Sequence, residues 1–146
     1  MSGTQSEYTK RMATAILKEY PQWASLHKYE IDNEEVYFCL EVTAPSPNIE
    51  VPLRITTNQE EITVSFYAYH AHYQEFGAEA KQLINTLLSE KHSIVSFWHE
   101  DQLCGSCIVE IMNVPETNIE YPYANRIEVR TWNGVNDRSI ACRSRE

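Results

Sequence analysis

Two pairs of side chains in this chain have the type and spacing to hold a metal. His70 and His72 stand one residue apart in SFYAYHAHYQEF (Ser65–Phe76), and Cys104 and Cys107 form a CxxC in LCGSCI. On an extended strand, residues i and i+2 point to one side, so both imidazoles can meet a single ion. A catalytic centre needs a third ligand as well, and an open position for water. The chain has no His-Glu-x-x-His motif and no second His-x-His. Carried along the strand, the two histidines continue the face of Ile62, Val64, Phe66 and Ala68, where imidazoles ordinarily hydrogen-bond carbonyls at a sheet rim. With Cys104 and Cys107 they complete the inventory of a structural zinc site. Zinc-binding CxxC pairs usually sit on turns, however, and Gly105-Ser106 is flanked by strand-like sequence. A redox CxxC wants a helix N-terminus to lower its thiolate pKa, and no helix follows. On a continuous strand the two sulfurs face opposite sides unless a bulge at Gly105 realigns them. The expectation is therefore free thiols, no metal, no cofactor and no catalytic residue. A metal-binding protein or metal-dependent enzyme using His70 and His72 is the alternative.

Other chemistries lack their signatures. There is no Gly-x-Ser-x-Gly elbow, no P-loop and no Gly-x-Gly-x-x-Gly, and the chain has only four glycines (Gly3, Gly77, Gly105, Gly134). Lysine and arginine number 12 against 21 aspartates and glutamates, a net charge of -9. Such a surface repels phosphate backbones and attracts basic proteins, which argues against nucleic acid as a partner. The acids bunch at Glu30, Asp32, Glu34 and Glu35, at Glu60 and Glu61, and at Glu100 and Asp101. Aromatics make up 11%, with nine tyrosines, too many for all to be core. Tyr67, Tyr69 and Trp98 are therefore candidate anchors for a partner, because tyrosine and tryptophan dominate many interfaces.

The elements that position these residues follow from periodicity. A helix is expected over residues 4–20, closed by Pro21, with Trp23 and Leu26 pinning it to a sheet. Strands are expected at 28–32, 35–44 and 51–57, the second with Val36, Phe38, Leu40 and Val42 alternating against Glu35, Tyr37, Cys39 and Glu41. A long strand follows over 61–73, with Tyr67, Tyr69 and Tyr73 opposite its apolar face. After Gly77, Ala80, Leu83, Ile84, Leu87 and Leu88 form a helical stripe. Strands at 93–99, 103–111 and 126–132 complete the order α-β-β-β-β-α-β-β-β. Short turns between neighbours imply an α+β fold: an antiparallel sheet of six to seven strands with two helices packed on it. At 146 residues the chain reads as one domain, with flexible ends at 1–3 and 138–146. No apolar run is long enough for a membrane span, and the N-terminus lacks a signal-peptide core, so the expected location is the cytoplasm.

The segments EYPQW, ITVSFYAYHAHY, IVSFWHEDQLCGS and IEVRTWNGVND together resemble small bacterial immunity proteins, over about residues 14 to 137. These accompany polymorphic toxins of the contact-dependent inhibition and Rhs types. The resemblance implies a cytoplasmic, non-enzymatic protein that binds a cognate toxin domain and blocks its active site or substrate groove. Many such toxins are basic nucleases, which an acidic inhibitor suits. Binding surfaces differ between members, so no functional residue carries over. A structural or homodimeric scaffold remains a third reading.

Overall fold

The computed structural model describes residues 6–145. Its elements are α1 (Glu7–Glu19), β1 (His27–Asp32), β2 (Glu35–Val42), β3 (Leu53–Thr57), β4 (Ile62–Phe66), β5 (Tyr69–Tyr73), α2 (Ala78–Leu88), β6 (His92–His99), β7 (Gln102–Glu110), β8 (Arg126–Arg130) and β9 (Arg138–Ala141). The fold is α+β, with two antiparallel sheets ordered β1-β2-β3-β4-β5 and β7-β6-β8-β9. The chain divides into two compact units. The first runs to Thr43 and takes in Pro52–Phe66 and His70–Ile84; the second holds Ala44–Val51, Tyr67–Tyr69 and everything from Asn85 on. No helix among the described residues is long and apolar enough to cross a membrane.

In the first unit, Ser6 caps α1 by accepting from the Thr9 amide, and Glu7 and Lys18 complement the helix dipole. Met12, Ala13 and Ile16 form the buried stripe of this helix. Pro21 ends it and opens a short 3-10 turn, Pro21–Leu26, in which Trp23 is buried. Trp23 stacks on Tyr20 at 4.6 Å. Leu26, expected to join it as a pin, is instead 46% exposed. One face of the five-stranded sheet is largely apolar: Leu40 lies opposite Ile55, which lies opposite Val64, all three buried, with buried Thr57 on the same face accepting from the Phe38 amide at 3.2 Å. The alternation on β2 is the one its sequence implies.

The expected strand over 61–73 is broken. Tyr67 has φ of +53°, and β4 and β5 become separate neighbouring strands joined at Tyr67-Ala68. Nothing in Phe-Tyr-Ala-Tyr signals a turn, because tyrosine and alanine do not favour the left-handed region. Distant groups hold it: Ser106 Oγ donates to the Ala68 carbonyl at 2.7 Å, and the Arg130 guanidinium lies 5.6 Å from the Tyr67 ring centre.

The second unit packs Val95, Phe97, Ala124, Ile127 and Val129 into a buried cluster, with Tyr121, Ile140 and three cysteines against it. The Tyr121 ring leans on Phe97 at 4.7 Å and lies directly over Gly105, where an added Cβ would come within 2.3 Å of it. Residues 138–141, expected within a flexible end, form β9, which pairs with β8 from Arg126↔Ala141 to Val129↔Arg138. The expected end at residues 1–3 lies outside the described residues. The described residues thus form nine strands in two sheets, close to the expected six to seven; the two further strands come from the Tyr67 turn and β9, which carry no local signal.

Candidate functional site

Register decides which candidate residues meet. The β1–β2 hairpin closes on Asn33 and Glu34, at φ of +52° and +67°. Two positive φ values in a two-residue loop make the turn that matches strand twist. β3 runs antiparallel to β2, with Thr56 beside Cys39, so its exit lies at the end where β2 begins. The β3–β4 turn is there too, with Asn58 Oδ1 accepting from the Glu60 and Glu61 amides at 2.7 and 2.8 Å. Two acidic groups separated by some 25 residues in sequence therefore stand at one end of the five-stranded sheet: Asp32, Glu34 and Glu35, and Glu60 and Glu61. At the same end an open concavity is lined by Glu60, His72, Tyr73, Gln74, Glu75 and Glu79. Such a surface offers many carboxylate acceptors to lysine and arginine.

The face of this sheet opposite the core is polar. It carries Lys28 and Glu30 on β1, Tyr37, Cys39 and Glu41 on β2, Arg54 and Thr56 on β3, Thr63 and Ser65 on β4, and the two histidines on β5. His70 and His72 do not continue the apolar face, as the sequence implied. The Tyr67 turn exchanges the faces of everything after it. His72 Nδ1 lies 2.9 Å from Thr63 Oγ1 and 3.5 Å from Glu61 Oε1, and both histidines are exposed. Their ring centres are 5.3 Å apart. By the same reversal Tyr69 and Tyr73 leave the polar face on which they were placed.

Among the described residues, one set of three possible ligands has its donor atoms within 4.8 Å of one another: Glu30, Cys39 and Glu41. Sequence reasoning missed it, since Glu41 joins Glu30 only through β1–β2 pairing. Two cations already compensate it. Lys28 Nζ is 3.1 Å from Glu41 and 3.7 Å from Glu30, and an Arg54 nitrogen is 3.8 Å from Glu30. The Lys28 hydrogen bond and charge hold the Glu41 carboxyl below its usual range, and Glu41 raises the Lys28 ammonium in turn. Burial first, with Glu30 and Glu41 adding, pushes the Cys39 thiol up, the opposite of what a nucleophile requires.

The remaining candidates lie in the second unit. Trp98 is half-buried and already committed: its indole N–H donates to Ser96 Oγ at 2.8 Å, and Arg126 sits 5.7 Å from its ring centre. Glu100 and Asp101 form the β6–β7 turn, with the Glu100 carboxylate accepting from Asn125 at 2.9 Å. Sequence reasoning also missed an Arg126-Glu128-Arg130 ladder on β8, where buried Glu128 accepts from both arginines, at 2.6 and 2.8 Å, and from Ser139. Cys104 and Cys107 are free thiols on a continuous strand. The pairing is interrupted by a bulge that the expected continuous strand did not include, at Cys104: Phe97 pairs Gly105 and Trp98 pairs Leu103, leaving Cys104 extra.

β1 adds two residues with no distinctive local signal. Tyr29 and Ile31, opposite Phe38 and Val36, are 44% and 51% exposed although their partners' face feeds the core. Their alternation was legible; their exposure follows from the edge position of β1.

No protein-family model, curated protein or solved structure matches the chain.

Proposed function

We propose that the chain is an immunity protein that binds a basic toxin domain, a nuclease being the partner its charge suits best, and neutralises it by covering its active site or substrate groove. It acts in the cytoplasm and performs no chemistry of its own. The observation that carries this reading is the gathering of Asp32, Glu34, Glu35, Glu60 and Glu61 at one end of the five-stranded sheet, beside exposed Tyr29 and Ile31. Carboxylates gathered at one end give fast, steered association with a basic partner, and Tyr29 and Ile31, on the other face of β1, add apolar area to cover. The resemblance of the four sequence segments to immunity proteins supports the same class.

The test is to identify a toxin domain encoded in an adjacent gene and co-express it, scored by growth and by isolation of the complex. Protection is expected. Reversing Glu34, Glu35 and Glu60 to lysine should slow association by about tenfold at low salt, within the range of electrostatic steering. Failure to restore growth removes the immunity reading. An unchanged association rate removes this end of the sheet as the docking surface. The alternative, a metal-binding protein, draws on the shared face of His70 and His72 and the approach of Glu61 to His72. Stoichiometric zinc in purified protein, lost in His70→Ala, would favour it instead. A homodimer would show as twice the chain mass in solution.

A further inference from the structure

We infer that the free edge of β1 is a strand-addition site for an extended segment of the partner in which basic and apolar residues alternate. This rests on the reading of the chain as a protein-binding module and specifies how it binds. β1 is an edge strand, and every residue from Lys28 to Asp32 is exposed. Its pairing with β2 is continuous over six residues, with no bulge or proline to block an added strand, and the charges of Lys28, Glu30 and Asp32 are what guard the edge against unmatched strands. In a two-residue hairpin the residues flanking the turn exchange both backbone hydrogen bonds, and the pattern then alternates. Asp32↔Glu35 flank this turn. Glu30 and Lys28 therefore join Asp32 in bonding to β2, and His27, Tyr29 and Ile31 turn their N–H and C=O groups to the open edge.

The side chains select the occupant. Tyr29 and Ile31 stand on one face, and Glu30 and Asp32 on the other, continued by Glu34 and Glu35 at the tip. An added strand would set apolar residues beside the first pair and lysine or arginine beside Asp32 and the tip acids, Glu30 being shared already with Lys28 and Arg54, since opposite charges across a ladder attract. A second copy of this chain is a poor occupant. Antiparallel self-pairing centred on Ile31 sets Glu30 of each copy opposite Asp32 of the other, and residues 27–35 carry four acids against one lysine.

A short peptide of alternating lysine and valine is the probe, its glutamate-valine counterpart the control, and amide exchange followed by NMR the readout. The lysine peptide should slow exchange at Tyr29 and Ile31 by about tenfold, equivalent to 1.4 kcal/mol, and added salt should diminish the effect. Ile31→Pro removes an outward N–H that the β1–β2 pair does not use, so the fold should survive and protection vanish. If that variant does not fold, the double reversal Glu30→Lys, Asp32→Lys tests the same contact with the backbone intact and should also lose protection. No slowing at Tyr29 and Ile31, equal protection by the glutamate peptide, or protection that grows with protein concentration alone would overturn the proposal. A toxin complex that forms with these amides still exchanging sinks strand addition and leaves the immunity reading standing. Peptide protection without any toxin neutralised does the reverse.

Discussion

Gly105→Ala should destabilise the protein because of Tyr121, and it should stop doing so when Tyr121 is removed. An ideal Cβ at Gly105 lies 2.3, 2.4 and 2.6 Å from Cζ, Cε1 and Oη of Tyr121. Ordinary contact is 3.4–4 Å, so the ring must withdraw by about an ångström. The clash is with the far end of a side chain, which lets the ring rotate away rather than forcing the strand apart. What is lost is its packing on Phe97, whose ring centre is 4.7 Å away. An aromatic pair is worth about 0.5–1.5 kcal/mol beyond its area, and overpacking strain runs about 1–3 kcal/mol. Against this, alanine is about 0.5–1 kcal/mol better than glycine inside a strand. The net expectation is a loss of about 1–3 kcal/mol in the wild-type background, or about 2–12 °C in melting temperature. In a Tyr121→Ala background the strand term stands alone, and Gly105→Ala should stabilise by about 0.5 kcal/mol or more. Urea unfolding of the four proteins in this cycle measures both values. Equal losses in the two backgrounds, additive within about 0.5 kcal/mol, would refute the argument.

Burial, with the Glu19 charge adding, pushes the Tyr20 phenol up from 10.0 to about 12. A group whose folded pKa is raised keeps its full contribution below the unfolded value and loses it as pH rises through the folded one. Wild type should therefore lose up to about 2–3 kcal/mol between pH 10 and 12 that Tyr20→Phe does not, measured as the difference in the slopes of stability against pH. Parallel slopes would show that Tyr20 ionises freely in the folded state. Asp137 accepts from Ser46 Oγ, from Asn48 Nδ2 at 2.9 Å and from the Thr131 amide at 2.6 Å, tying two loops of the second unit together. Asp137→Ala should cost about 2–4 kcal/mol in urea unfolding, since several charge-assisted hydrogen bonds go together; a loss under about 0.5 kcal/mol would mean the loops hold without it.

Local pattern carried much of the fold. The β2 alternation, the Leu83/Ile84/Leu87 stripe and the Asp-Asn-Glu-Glu hairpin were all readable, because burial repeats every two residues on a strand and near every 3.6 on a helix. The break at Tyr67-Ala68 was not readable, since its left-handed residue is stabilised by Ser106 and Arg130, some 40 and 60 residues away. That one turn reversed the faces of His70, His72, Tyr69 and Tyr73, because a strand's side chains alternate and any reversal passes to every residue after it. β9 escaped for a related reason: Arg-Ser-Ile-Ala has little strand pattern of its own and is held by its register with β8.

By itself the sequence determined that the chain is α+β, acidic and built on antiparallel hairpins, because composition, turn chemistry and hydrophobic period are local properties. Tertiary structure decided what those residues are near. Strand pairing carried Glu60 and Glu61 to the end of the sheet where Asp32, Glu34 and Glu35 stand, and brought Glu30, Cys39 and Glu41 within 4.8 Å of one another. It left Tyr29 and Ile31 exposed by making β1 an edge. Charge and side-chain type are written one residue at a time. A binding surface is a set of distances between residues far apart in the chain, and only the register of paired strands supplies them.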